Sequence, residues 1–185
     1  MAVLPIYTYG APVLREKARP VKKISDDIIQ LIMDMFTTMH KASGIGLAAT
    51  QVGRLERVVV IDVSDIEELK HIPPLTLVNP EIVSSSGSIS VEEGCLSIPD
   101  VRNEVNRSQI ITVRYKDTNF DDAELEAGGL LARVILHEID HLNGVLFIDH
   151  LSAEQRHAHA EELKKIQRGE MEVNYPVVTA VDVAA

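Results

Sequence analysis

Cysteine is nearly absent from this sequence: among its 185 residues, Cys95 is the one that carries a thiol. No disulfide can form within the chain, so disulfides do not fix the redox compartment in which the protein works. A lone cysteine can be a buried small apolar side chain, a nucleophile or a metal ligand. The other residues of the sequence are needed to distinguish between these alternatives for Cys95.

Long apolar runs are also missing, and no window of the sequence approaches the length needed to cross a membrane. Residues 1–15 lack the basic segment and the continuous apolar stretch of a secretory signal. We therefore expect a cytoplasmic protein that does not associate with membranes.

Positive charge is scarce: the chain has 18 Lys and Arg against 28 Asp and Glu, which gives a net charge of −10 at pH 7. Proteins that read nucleic acids directly normally present a basic face that displaces counterions. The composition argues against that class. The length indicates a single domain, which we place at residues 1–170, followed by a C-terminal tail at residues 171–185.

Three segments, at residues 26–43, 130–142 and 152–169, have the signals of helices. The first follows an N-cap, Ser25, and carries an apolar stripe at helical spacing. The second is strongly apolar and is stopped by Gly144. The third opens with a capping box and has charges of both signs on its face.

Between these helices the sequence favours short strands, at residues 57–63, 75–79, 81–91, 101–105 and 109–116, with a turn around Gly87. This pattern predicts an α+β fold, in which short antiparallel sheets surround the helix at 130–142 and further helices lie near both termini. The glycine-rich segment 44–53 is expected to be a loop whose backbone approaches another group closely.

The helix at 130–142 contains His137-Glu138-Ile139-Asp140-His141, an HExxH motif. Residues four apart lie on one helix face, so both imidazoles can reach the same metal ion. Glu138 can then exchange a proton with a water activated by that ion, which is the chemistry of hydrolysis. The alternative, two surface histidines on an amphipathic helix, fits poorly because the helix is strongly apolar.

A catalytic site of this type needs a third protein ligand and one open position. Downstream of the motif, Asp149, His150 and Glu154 are candidates, although none has the spacing of the zinc proteases. Upstream lies Cys95, with a glycine before it and a proline shortly after. These neighbours indicate a chain exposed at a strand edge, where a ligand is expected.

Three motifs together resemble those of the peptide deformylase family. They are the glycine-rich segment 44–51, the segment Glu93-Gly94-Cys95-Leu96-Ser97 and the HExxH motif at 137–141. They stand in the family's order and at similar spacing, and the segment 10–15 resembles the family's N-terminal region. The resemblance spans residues 5–151. It implies a metal-dependent hydrolase that removes the N-formyl group from the N-terminal methionine of newly made proteins.

The resemblance also implies roles for individual residues. Cys95, His137 and His141 would bind the metal, and Glu138 would act first as general base and then as acid for the leaving amine. The side-chain amide of Gln51 and the backbone N–H of Leu96 would stabilise the oxyanion of the intermediate. These two groups would form a preorganised oxyanion hole.

One divalent ion is implied, and Fe²⁺ is the usual metal of the family. Zn²⁺, Ni²⁺ and Co²⁺ are further possibilities, because one sulfur and two nitrogen donors suit zinc equally well. The resemblance does not choose among them for this chain.

The implied substrate is an N-formylmethionyl nascent peptide that lies extended along Ile45 and Gly46. The family's substrate-binding positions correspond here to Ile45, Gly46, Glu93, Gly94, Arg102, Leu130 and Val134. Arg102 either holds the peptide or pairs with a nearby acid. Transient ribosome association is a further implied partner interaction, although the mixed charge of the last helix does not favour docking through it.

Two other functions compete with deformylation. A metallopeptidase could use the same HExxH motif, and a non-catalytic relative could hold a structural metal. A structural site normally has four protein ligands and no open position, and it would give Glu138 and Gln51 no task.

Overall fold

A computed structural model describes residues 1–184 of the chain and has the predicted α+β architecture. The strands are β1 (Ile6–Tyr7), β2 (Gly46–Ala48), β3 (Val58–Ile61), β4 (Leu75–Ser86), β5 (Ile89–Cys95), β6 (Ile98–Arg107), β7 (Ile110–Lys116), β8 (Asp122–Gly128) and β9 (Val177–Val178). The α-helices are α1 (Asp26–Lys41), α2 (Gly129–Leu142), α3 (Ala153–Ala158), α4 (Ala160–Gln167) and α5 (Ala180–Ala184). Short 3₁₀ turns lie at Pro12–Arg15, Ala49–Val52 and Phe147–His150.

The main sheet has five antiparallel strands in the order β2-β3-β4-β7-β8. Successive side chains of a strand point to opposite sides, and in the second strand, β3, the side chains on both sides are buried. Val58 and Val60 pack with the apolar stripe of α1, whereas Val59 and Ile61 pack with α2. The two helices therefore cover opposite faces of the sheet, and α2 lies next to the second, two-stranded sheet formed by β5 and β6.

Helix α1 begins as the sequence predicts. The Ser25 hydroxyl accepts a hydrogen bond from the Ile28 N–H at 3.4 Å, and Asp26 and Asp27 lie in the first turn. Acidic side chains are favourable there because the N-terminal end of a helix carries partial positive charge. The predicted core-facing residues, Ile28, Leu31, Ile32, Met35 and Met39, are all buried.

Several predicted boundaries were wrong. The segment 44–53 is not all loop, because β2 pairs with β3 and a 3₁₀ turn follows. The predicted strand 75–79 and the first part of the predicted strand 81–91 form one continuous strand, β4, which ends before Gly87. The rest of 81–91 is the beginning of β5. The two were predicted as separate strands because the pairing of β4 is irregular near Asn79 and Pro80. Asn79 has a positive φ of 53°, and proline cannot donate to the ladder.

The predicted last helix is two helices, separated at His159. The His159 backbone lies at φ −99° and ψ 11°, outside the helical region, and its ring is 3.0 Å from the Asn103 side-chain amide. The tail, which the sequence leaves unassigned, forms β9 and α5, and β9 pairs in parallel with β1. No helix within residues 1–184 is both long enough and apolar enough to cross a membrane.

Candidate active site

Three possible metal ligands converge where the end of β5 meets α2. The Cys95 Sγ lies 3.2 Å from the His141 Nε2, which in turn lies 3.3 Å from the His137 Nε2. Donor atoms of the three residues all lie within 4.8 Å of one another. The two histidines come from one face of α2, as the four-residue spacing predicts. A register shift between Gly94 and Cys95 ends the regular pairing of β5 at this point.

The downstream alternatives for a third ligand do not join this cluster. Asp149 pairs with Arg15 at 2.5 Å, and His150 lies 2.7 Å from the Asp140 carboxylate. Glu154 is exposed in the first turn of α3. The structure thus brings together Cys95 and the two histidines of the motif.

A buried carboxylate fixes the orientation of His137. The His137 Nδ1 lies 3.0 Å from the Glu93 Oε2, so this nitrogen donates a hydrogen bond to the carboxylate. The ring is thereby held with its Nε2 directed toward His141. Such an outer carboxylate is a common support for metal-binding histidines.

Glu93 is held in turn by two arginines. The Arg107 Nε and Nη2 donate to its two oxygens at 2.5 and 3.0 Å, and the Arg133 Nη1 donates at 2.6 Å. Burial alone would raise the pKa of Glu93, but the hydrogen bonds from His137 and Arg107 outweigh burial and lower the pKa to about 2. Glu93 lines the cleft as the sequence predicts. Its carboxylate, however, is paired with His137 and the two arginines, which together form an ionic cluster.

The ionic cluster continues toward the surface. Arg107 also donates to the Asp140 carboxylate at 2.7 Å, and the same oxygen faces His150. Neither Arg107 nor Arg133 was predicted from the sequence as part of the site. A signal for Arg133 was present, because a charged residue in the apolar run before the HExxH motif must be paired when the helix is buried.

Glu138 occupies the position expected of a proton-transfer group. It is buried beside His137, and within residues 1–184 its Oε2 has no hydrogen-bond partner. Burial, assisted by the negative charge of Glu93, raises the pKa of Glu138 to about 7. A carboxyl group with such a pKa can both accept and release a proton near neutral pH.

The glycine-rich segment supplies the wall opposite Glu138. A Cβ atom at Gly46 would lie 2.6 Å from the Glu138 Oε1 and 2.8 Å from a Val134 methyl group, so no other residue fits there without displacement. This confirms the predicted close approach of the glycine-rich backbone to another group. The reason for glycine at this position is space, and β2 retains ordinary strand pairing.

The Gln51 side chain is held in place by a hydrogen bond from the backbone of its own segment. Its Oε1 accepts a hydrogen bond from the Ala48 N–H at 2.8 Å, which leaves the Nε2 directed toward the Ser97 hydroxyl at 3.2 Å and the Cys95 Sγ at 3.7 Å. The amide group therefore presents N–H donors next to the three-residue ligand cluster. Leu96 follows Cys95 directly and lines the same cleft.

All the predicted substrate-binding residues line one open cleft of about 950 Å³. Those not yet placed are Ile45, Gly94, Arg102, Leu130 and Val134. Arg102 is exposed, and its Nη1 lies 3.7 Å from the Glu92 carboxylate, a loose ion pair that leaves its donors available. The C-terminal segment Glu172–Tyr175 also lines the cleft, which no sequence signal indicates.

Comparison with known proteins agrees with this geometry. Residues 3–157 match the family model described as Polypeptide deformylase. The peptide deformylase of Salinibacter ruber is 46% identical over 97% of this chain and 96% of its own length. That of Chlorobaculum parvum is 45% identical over 95% of this chain and 94% of its own length.

Solved structures give the same result. A peptide deformylase from Legionella pneumophila has a TM-score of 0.84 at 40% identity and covers 91% of this chain and 98% of its own. One from Synechococcus elongatus, in complex with actinonin, has a TM-score of 0.81 at 41% identity and covers 96% of this chain and 94% of its own. The family predicted from the three motifs is confirmed: the chain belongs to the peptide deformylases.

Proposed function

We propose that Cys95, His137 and His141 hold one divalent metal ion and that the cleft beside them binds N-formylmethionyl nascent peptides for deformylation. The observation that carries this proposal is the convergence of the three donor atoms, with the His137 ring held in place by Glu93. One sulfur and two nitrogen donors suit Fe²⁺, Zn²⁺, Ni²⁺ or Co²⁺. Fe²⁺ is our first choice, on the resemblance to the family.

The donor set fits a catalytic ion better than a structural one. Within residues 1–184 the cluster offers three ligand residues, which leaves one position of a tetrahedral site for water or substrate. When bound, the ion supplies Lewis acidity, which polarises the formyl carbonyl and eases deprotonation of water. The remaining steps belong to the side chains of the chain itself.

Glu138 moves the proton. As the water oxygen forms a bond to the formyl carbon, Glu138 accepts the proton that the water loses. As the C–N bond then breaks, Glu138 returns that proton to the amine nitrogen, and formate leaves. Burial suits the carboxyl group to both steps, because it raises the pKa of Glu138 and so makes the carboxylate a better proton acceptor than an exposed one.

Gln51 and Leu96 stabilise the negative charge that develops on the formyl oxygen. The Gln51 amide is fixed through Ala48, which holds its N–H groups beside the ligand cluster. The Leu96 N–H lies next to the Cys95 ligand in the chain. Fixed donors of this kind typically contribute several kcal/mol (roughly 3–4) to the barrier reduction.

The substrate peptide is expected to extend along Ile45 and Gly46, with Gly94 on the opposite side of the cleft. Leu130 and Val134 offer apolar surface for the methionine side chain; Leu130 lies two turns before His137 and Val134 one turn before it. We assign the more distal peptide residues to Arg102, because its guanidinium is exposed at the rim. The same proposal includes a single catalytic domain at 1–170, to whose cleft the C-terminal tail adds residues 172–175. It also includes a cytoplasmic location and transient ribosome association, since nascent peptides are the substrate.

The test is formate release from formyl-Met-Ala-Ser by protein purified without oxygen and loaded with Fe²⁺ or Ni²⁺. The matched control is Glu138→Gln, which keeps the three ligands. We expect the variant to bind one metal per chain but to turn over roughly 10²–10⁴-fold more slowly. Actinonin, which is bound in relatives of known structure, is expected to inhibit the wild type.

The rival functions predict different results. A peptidase would cleave unblocked peptides and leave the formyl group in place. A non-catalytic relative would bind one metal per chain and release nothing. Equal rates of formate release from the wild type and Glu138→Gln would contradict the role given to Glu138.

A further inference from the structure

The C-terminal segment Glu172–Tyr175 forms part of the catalytic cleft. It lines the same cavity as Cys95, Leu96 and Gly44. Pairing of β9 with β1 anchors it immediately downstream: the Ile6 N–H donates to the Pro176 carbonyl at 2.9 Å, and the Thr8 N–H donates to the Val178 carbonyl at 3.0 Å. The segment is therefore a fixed wall whose position depends on the N-terminal strand.

Tyr175 makes the direct link between this wall and the site. Its hydroxyl donates a hydrogen bond to the Leu96 carbonyl at 2.9 Å, although 79 residues separate the two in sequence. Burial, with the negative charge of Cys95 and Asp100, raises the pKa of Tyr175 to about 12, so the hydroxyl stays protonated and can donate throughout the neutral range.

Leu96 is held from several sides. The next residue, Ser97, accepts a hydrogen bond at its carbonyl from the Tyr9 N–H at 2.8 Å. The Leu96 side chain reaches the glycine-rich segment, where a Cβ added to Gly44 would lie 2.7 Å from the Leu96 Cδ1. With these contacts in place, the Tyr175 hydroxyl adds a hydrogen bond that restrains the Leu96–Ser97 peptide group. This group shares the Leu96 Cα with the Cys95–Leu96 peptide group, which carries the Leu96 N–H.

We propose that Tyr175 is a positioning residue for deformylation, which holds the Leu96 N–H in the direction needed to stabilise the oxyanion. The proposal rests on the function proposed above. Removing an oxyanion-hole donor outright typically slows catalysis by about 10²–10³-fold. Loosening the donor without removing it should cost less, and we expect about a 10-fold loss.

The first test compares Tyr175→Phe with the wild type, using the full chain loaded with Ni²⁺ and formyl-Met-Ala-Ser as substrate. We expect kcat to fall about 10-fold while KM changes by less than about 2-fold, because the lost interaction acts on the transition state. The matched control is Tyr115→Phe, which removes a hydroxyl from β7, outside the cleft. Unchanged kcat in Tyr175→Phe would overturn the proposal.

The second test follows the Leu96 amide itself. In ¹⁵N-labelled protein loaded with Zn²⁺, we expect Tyr175→Phe to shift the Leu96 amide resonance and to speed its hydrogen exchange, while Tyr115→Phe does neither. A lower kcat with an unchanged Leu96 amide would mean that Tyr175 acts by another route, which also overturns the proposal.

The two tests separate this proposal from the function on which it rests. If the wild type releases no formate, the proposed function fails, and the amide measurement still decides whether Tyr175 orders Leu96. If the wild type is active and Tyr175→Phe matches it in both measurements, the function stands and the positioning role fails.

Discussion

Helix α2 is buried on two sides, one of which carries apolar side chains and the other charged ones. Toward the five-stranded sheet it presents apolar side chains, among them Leu131, Ile135 and Ile139. Toward the β5–β6 hairpin it presents Arg133, His137 and Asp140, which also recur at helical spacing. Arg133 and His137 are buried about as deeply as the apolar residues, whereas Asp140 is half-buried. The apolar side needs only matching volume, but the charged side needs a partner for every buried group.

The charged side meets that requirement almost completely. The Arg107 and Glu93 side chains are 5% and 4% exposed and pair with each other, and Arg133 reaches three backbone carbonyls in addition to Glu93. Within residues 1–184, the buried side-chain atoms without a partner are the Glu138 Oε2 and the His141 Nδ1. Both belong to the HExxH motif, so the unmet polar capacity of the helix is concentrated at the site.

The largest effect is expected from Glu93→Gln, which breaks the charged side. The substitution keeps the shape but leaves Arg107 and Arg133 as buried charges without their shared counterion. We expect the free energy of unfolding of the metal-free protein to fall by about 3–5 kcal/mol, measured by urea denaturation. The control is Glu92→Gln at the exposed neighbouring position, which should change stability by less than about 0.5 kcal/mol. Equal losses in the two variants would refute the comparison.

A somewhat smaller effect is expected from Ile135→Ala, which breaks the apolar side. Ile135 is fully buried against the sheet, so truncation leaves a cavity and should cost about 3 kcal/mol, within the usual range of roughly 2–5 kcal/mol. The kcat for formyl-Met-Ala-Ser should stay close to that of the wild type at a temperature where the variant is folded. A large fall in kcat without unfolding would show that the two sides are not independent.

The smallest change in stability is expected when the charges are replaced together. The triple variant Glu93→Leu, Arg107→Met and Arg133→Met removes Glu93 and both of its arginines at once, and Asp140 keeps His150 as a partner. It should unfold within about 2 kcal/mol of the wild type. Its affinity for Zn²⁺ should nevertheless fall about 10–100-fold, because His137 loses the carboxylate that orients it. Competition with a chelator measures this affinity. Unchanged affinity would mean that the ionic cluster contributes to stability but not to metal binding.

Local sequence patterns predicted those helices and strands that are buried on one face or on all sides. Helix α1 followed from apolar periodicity, and β3 followed from a run of β-branched residues. The turn at Gly87 followed from a residue that adopts a positive φ of 69°. Strand β8 was missed because its sequence, rich in acidic residues and alanine, buries little besides Ala127 and is held by pairing with β7. The β1–β9 pairing was also missed, since contacts between the two ends of a chain leave no local signal.

For the site, the motifs predicted which residues come together but not how each is supported. The structure places the Cys95 and histidine donors close together, as their spacing and the resemblance suggested. Arg107 and Tyr175 could not be anticipated, because each acts through a contact formed by folding: Arg107 on Glu93 across the hairpin, and Tyr175 on Leu96 across the cleft. Their own sequence neighbourhoods resemble an ordinary strand and an ordinary tail.

The single cysteine gives the protein a built-in chemical reporter. Because Cys95 is the one thiol in the chain and lies within the ligand cluster, a thiol-reactive dye can label the protein nowhere else. Labelling should be slow while a metal engages the sulfur and faster after chelation, so its rate reports site occupancy without a substrate. The same arrangement concentrates oxidative damage: oxidation of this one sulfur atom would remove a ligand and could not be buffered by any other thiol in the molecule.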